Sequence, residues 1–265
     1  MLRSITTENI FNKWKSISLW SISMFLLSLL LVSIYESVAV QLFQSLEDIP
    51  DELEVIWGTP LPVGGISSEE WLGLELFGFI YPLCLCIIGI NLGAAAIGNE
   101  EASGTLELLL SSPISRRNIL FQKTIAIYVQ LFVVAISVFL GICFGKLFFS
   151  FEVALSKVFF ASFSGFLLGI LISHISLLSQ SCSGKKAYGL AIGSISVGSF
   201  WTINAIASLI ETLDSMKFLS AFYYYNGAQV LNEGIEIKTI VAFSTCSTIM
   251  YIITDYIFGK RDLGV

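Results

Sequence analysis

The chain has 265 residues, of which 55% are hydrophobic and 13% charged, with a mean hydropathy of +0.82. Soluble domains carry about 25% charged residues, so a soluble fold is excluded and a polytopic membrane protein is expected. The net charge of -6 argues against nucleic acid as a partner, and five cysteines in or beside apolar runs (Cys84, Cys86, Cys143, Cys182, Cys246) imply no disulfide framework.

Uncharged stretches of about 20 residues cross a ~30 Å hydrocarbon core. Six are expected, at about residues 17–40, 72–98, 124–146, 157–183, 187–210 and 238–258, in one all-α membrane domain spanning 1–265. Ahead of the first span, residues 1–15 place Ile10, Phe11 and Trp14 on one face. That span is too long for a signal-peptide core and is followed by Tyr35, Glu36 and Ser37 rather than a small-residue cleavage site, so it is expected to remain in the mature protein. An even number of spans puts both termini on one side. Arg3, Lys13, Lys15, Arg116, Arg117, Lys123, Lys185, Lys186, Lys260 and Arg261 lie on that side, against Lys146, Lys157, Lys217 and Lys238 on the other. The bias makes both termini cytoplasmic.

The outer loop 41–71 carries Glu47, Asp48, Asp51, Glu52, Glu54, Glu69 and Glu70 without a basic residue, which fits either a solvated loop or a cation-attracting vestibule. The outer segment 211–237 contains Phe218, Phe222, Tyr223, Tyr224 and Tyr225, and short interfacial or re-entrant helices are expected there. Within the spans, Gly89/Gly93, Gly141/Gly145, Gly165/Gly169 and Gly189/Gly193 are spaced for close helix packing, and these faces are taken as available for dimerisation. Asn91, Ser194 and Asn204 are candidates for lining a translocation path, with interhelical hydrogen bonding as the alternative. Intramembrane catalysis is not expected: there is one histidine, His174, no carboxylate pair in a span, and no GxxxxGK[ST] loop for ATP. No metal site is expected either, since Cys84 and Cys86 diverge by about 200° on a helix.

The most informative stretch runs from Gly98 to Arg117. Gly104 breaks the helix leaving the membrane, Thr105 is placed to cap a short new one, and Leu106, Leu109 and Leu110 give that helix an apolar face. Ser112 and Pro113 read as the cap and first position of the next helix. Such a helix either lies on lipid or is a docking knob for a cytoplasmic partner.

The run Glu101-x-x-Gly104-Thr105-Leu106-Glu107-x-Leu109-x-x-x-Pro113-x-Ser115-Arg116 resembles the signature of ABC-2 type transporter permeases, the membrane subunits of ATP-binding cassette exporters. Phe218 to Tyr225, Gly234 and Phe258 to Leu263 are also similar to that family, with Ala221 where many relatives have proline. The resemblance implies an N-terminal elbow helix at 1–15. It also implies a coupling segment at 99–117, in which Glu100, Glu101, Gly104, Thr105, Leu106, Glu107, Leu109, Leu110, Pro113 and Arg116 meet a separate ABC ATPase subunit. The chain itself would be no enzyme and hold no cofactor, ATP and magnesium belonging to that partner. Implied too are a second copy or a similar permease, surrounding lipids, and a cell-membrane location. The competing readings are a non-transporting anchor or sensor subunit of an ATPase complex and an ion-coupled secondary transporter.

Overall fold

The computed structural model describes residues 4–39, 41, 65–111 and 114–261, and the described residues are helical with no strand. In chain order the α-helices are α1 (Ile5–Ile34), α2 (Ser68–Leu72), α3 (Tyr81–Ala102), α4 (Leu106–Leu110), α5 (Arg116–Phe148), α6 (Leu155–Ser183), α7 (Lys186–Leu209), α8 (Ala221–Tyr225), α9 (Gly227–Glu233) and α10 (Ile237–Lys260). A π-helical stretch, Gly73–Ile80, joins α2 to α3 without a break, and a 3-10 helix, Glu211–Leu219, follows α7. Six helices are long and apolar enough to cross a membrane. The chain is a multi-pass membrane protein. The acidic residues Glu47, Asp48, Asp51, Glu52 and Glu54 lie outside the described residues, and so do Ser112 and Pro113.

The bundle is built around α6, which packs against α3, α5, α7, α9 and α10, while α1 lies along α5 at the edge. The paired glycines explain how the helices come so close. A Cβ at Gly89 would meet the Gly169 carbonyl of α6, one at Gly93 the Ser173 carbonyl, one at Gly141 the Phe25 carbonyl of α1, and one at Gly193 the side chains of Ser176 and Ile90. These small faces are therefore consumed inside one chain. The expectation that they are free for a second copy is corrected, and they carry no argument for a dimer.

α1 differs from expectation in a second way. It is one unbroken helix of 30 residues, about 45 Å at 1.5 Å per residue, so roughly its first ten residues project beyond a ~30 Å core. The segment expected as a separate elbow helix continues straight into the span, because no glycine or proline lies between Ile5 and Ile34 to turn the chain.

At the end of the bundle away from α4, Pro82 shapes the packing. The Tyr81 amide donates to the Leu76 carbonyl, five residues back. In that register the Phe77 carbonyl would accept from residue 82, but a proline has no N–H. The Tyr225 hydroxyl donates to that carbonyl instead, at 2.7 Å, and Tyr225 is buried. The segment after α7 is thus folded against the bundle: Ser164 Oγ donates to the Tyr225 carbonyl, and the Ser220 hydroxyl to that of Phe200. Phe218 and Leu219 remain exposed. Ala221 is the first residue of α8, capped by Ser220, a position where proline would also fit.

Candidate coupling site at the α4 end

α3 ends in a Schellman turn. The Gly104 amide donates to the Glu101 carbonyl at 3.2 Å and the Thr105 amide to the Glu100 carbonyl at 2.9 Å. Gly104 closes the turn at φ +67°, in the left-handed region. The chain then re-enters helix for five residues, Leu106–Leu110. Leu106 is buried, and Leu109 and Leu110 pack against the core beside it. Leu108 points the other way and is 73% exposed. Thr105 stands at the first cap position, but its hydroxyl does not cap α4; it meets Ser103 Oγ at 2.8 Å. The next described helix starts at Arg116, three residues beyond the expected position 113. Its cap is Ser115, whose hydroxyl accepts from the Asn118 amide at 3.3 Å.

Ion pairs hold this turn to the bundle. Glu100 pairs with Lys123 of α5, whose side chain is 3% exposed. Glu101 lies 2.8 Å from Arg261 Nη1 at the end of α10 and accepts from Gln180 Nε2 of α6 at 2.6 Å. Arg261 also donates to the Ser181 carbonyl at 3.2 Å, and Arg116 donates to the Arg261 carbonyl at 2.9 Å. Arg117 pairs with Asp255 at 3.1 Å. Three spans, α3, α6 and α10, therefore meet at one carboxylate.

The expected site residues divide accordingly. Gly104, Thr105 and Glu107 are exposed on the turn and on α4, while Leu106, Leu109 and Leu110 face the bundle. Glu100, Glu101 and Arg116 are engaged within the chain. Pro113 lies outside the described residues. Of the path candidates, Asn91 of α3 and Ser194 of α7 are exposed and flank the Ile90–Gly193 contact at one depth, and Asn204 sits ten residues beyond Ser194. His174 is buried, with Nδ1 2.9 Å from the Ile170 carbonyl and Nε2 3.3 Å from the Tyr128 hydroxyl. Sequence reasoning missed Leu108, which falls off the apolar face it recognised, and Arg261 as the partner of Glu101. Among the described residues no three histidines, cysteines or carboxylates converge to hold a metal.

The architecture is that of a multi-helix membrane domain carrying a short amphipathic helix braced against its spans at one end. Residues 12–263 match the family described as ABC-2 family transporter protein, and the chain belongs to that family. Its members are membrane transport components, not themselves catalytic, and generally work with an ATP-binding subunit. No curated protein matches the chain in sequence.

Proposed function

We propose that this chain is the permease subunit of an ATP-driven exporter, that α4 docks on a separate ATPase, and that a second permease completes the path. The observation that carries the coupling is the geometry of α4. An exposed leucine stands on a helix whose base is fixed by ion pairs to α5 and α10. A lipid-lying helix needs no such bracing. ATP and magnesium are bound by the partner, and closure of the ATPase dimer pushes α4 against Glu100 and Glu101. The resemblance to exporters supports outward movement of the substrate.

A second permease, identical or similar, accounts for the side of the bundle that exposes Asn91 and Ser194. A bare amide in hydrocarbon costs several kcal/mol, so these groups face a partner or a water-filled path. The end holding Arg116, Lys123 and Arg261 is the more basic one, which supports a cytoplasmic side of the cell membrane for α4 and both termini.

The decisive experiment reconstitutes the permease with its cognate ATPase in proteoliposomes and measures ATP-dependent substrate movement, with a single cysteine at position 108 for cross-linking. Transport together with a 108-to-ATPase cross-link is expected. An assembly that hydrolyses ATP without moving substrate would favour the anchor or sensor reading. Labelling Arg117→Cys from outside, or finding one permease per assembly by native mass spectrometry, would refute the topology or the dimer.

A further inference from the structure

α6 ends at Ser183 and is closed by Gly184, whose φ of +72° lies in the left-handed region. The last carbonyls of a helix have no amide partner within it and carry the negative end of its dipole. Arg261, the residue that caps α10, fills this place. Its Nη1 donates to the Ser181 carbonyl at 3.2 Å and lies 2.8 Å from Glu101 Oε1. The guanidinium rests directly against Gly184, where a Cβ would collide with Nη2. Gly184 therefore answers two needs, the left-handed turn and the room for Arg261. The backbone of Arg261 is held in turn by Arg116, which donates to its carbonyl at 2.9 Å.

Glu101 joins this seat to α4. Its carboxylate takes the Arg261 pair and a hydrogen bond from Gln180 Nε2 at 2.6 Å, while its own carbonyl accepts from the Gly104 amide in the turn that leads into α4. α4 has five residues, too few to be stable alone, so its orientation comes from that turn and from the leucines it lays on the bundle. We propose that Arg261 is a positioning residue for α4 and that Gly184 acts through it. The guanidinium fixes Glu101, Glu101 fixes the turn, and the turn presents Leu108 in one orientation to the ATPase. A side chain already held in its bound orientation binds more tightly, because its ordering cost is met before contact. Lysine at this position keeps the charge but lacks the planar head that seats against Gly184. The proposal rests on the docking of α4 to an ATPase, and it adds to that reading two residues that are remote from α4 in sequence.

The test is equilibrium binding of full-length permease variants to the cognate ATPase, at a temperature where melting curves show each variant folded. Arg261→Ala should bind about fivefold more weakly, within the range of coupling between contacting residues, and Arg261→Lys should fall between it and the parent. Gly184→Asn tolerates the left-handed backbone but fills the seat of the guanidinium. It should match Arg261→Ala, and combining the two should weaken binding no further. Lys260→Ala removes a positive charge one residue away, from a side chain that donates to the Tyr256 hydroxyl, and should bind like the parent. A purely structural role lowers the melting temperature of Arg261→Ala and leaves its affinity parental, and that result would overturn the proposal. An additive loss in the double variant, or an equal loss in Lys260→Ala, would overturn it too. Leu108→Ser separates this inference from the reading beneath it. Weaker binding in Leu108→Ser with parental binding in Arg261→Ala means that α4 docks and Arg261 does not position it. Parental binding in both overturns the docking of α4 and this proposal together.

Discussion

The two ends of the bundle are fastened by different chemistry. At the α4 end the ties are ionic: Glu100 to Lys123, Glu101 to Arg261, Arg117 to Asp255. At the opposite end they are aromatic donors on backbone carbonyls: Tyr225 to Phe77, Tyr81 to Ser162, Trp71 to Leu31, Tyr35 to Ile66. An aromatic ring has few rotamers and holds its carbonyl in one geometry, whereas the strength of an ionic tie depends on its burial: the Arg117–Asp255 pair, with Arg117 exposed, is worth little, and the Glu100–Lys123 pair, with Lys123 almost closed to solvent, is costly to break. The contrast teaches what each end depends on: the α4 end on its counter-charges, the opposite end on single donors to backbone carbonyls.

The largest expected effect comes from breaking the most buried ionic tie. Glu100→Ala leaves Lys123 without its counter-charge in a site almost closed to solvent, and removing one partner of a buried pair costs about 3–5 kcal/mol. Thermal unfolding in detergent should show the loss, and replacing both residues with apolar ones of similar size should restore much of it. Unchanged stability in Glu100→Ala would mean that this end is held elsewhere.

Next comes the aromatic end. Tyr225→Phe leaves the Phe77 carbonyl buried without a donor, at a cost of about 1–3 kcal/mol. Pro82→Ala supplies an N–H in the register that carbonyl expects, so the same tyrosine change should cost less in that background. A double-mutant cycle with no coupling between the two sites would separate the π-helical stretch from Tyr225.

A smaller effect is expected at the turn. Gly104 sits at φ +67° with open space around it, so Gly104→Ala meets no clash and pays only for the left-handed backbone, about 1–2 kcal/mol. Transport should fall with the fraction of folded turn, while membrane insertion, measured by fractionation, should not change.

Much of this architecture is legible in the chain itself. Five of the six apolar runs stand out because they lack charge over a membrane's thickness, and the sixth, cut short by Asp255, is the weakest. The Gly104 turn and the inward face of Leu106, Leu109 and Leu110 follow from local spacing. What is not legible is long-range. Nothing near Glu101 announces Arg261, 160 residues on, as its partner, so the tie it makes between spans is invisible in the local sequence. Spacing predicts that Gly89 and Gly93 pack closely but not that α6 of the same chain is their neighbour. Pro82 signals a disturbed helix, yet the tyrosine that satisfies the disturbance comes from beyond α7. Thr105 resembles a cap by position, but Ser103 competes for its hydroxyl.

The smallest expected change in stability belongs to the residue whose functional effect should be greatest. Leu108 is 73% exposed, so Leu108→Ser removes almost no packing within the chain, and surface substitutions of this kind stay within about 0.5 kcal/mol. Leu106, two residues before it and 6% exposed, is the internal control: truncating it should cost about 2–3 kcal/mol through the cavity it leaves. If α4 is a docking element, the two variants part company. Leu106→Ala should lose ATPase coupling in proportion to its loss of folded protein. Leu108→Ser should insert, fold and melt like the parent yet bind the ATPase at least tenfold more weakly, because an apolar side chain seated at the centre of an interface carries a disproportionate share of its energy. Equilibrium binding of the two purified subunits, read beside the melting curves, separates the cases. Parental affinity in Leu108→Ser would move the contact off α4 and leave the ionic ties at its base as purely structural.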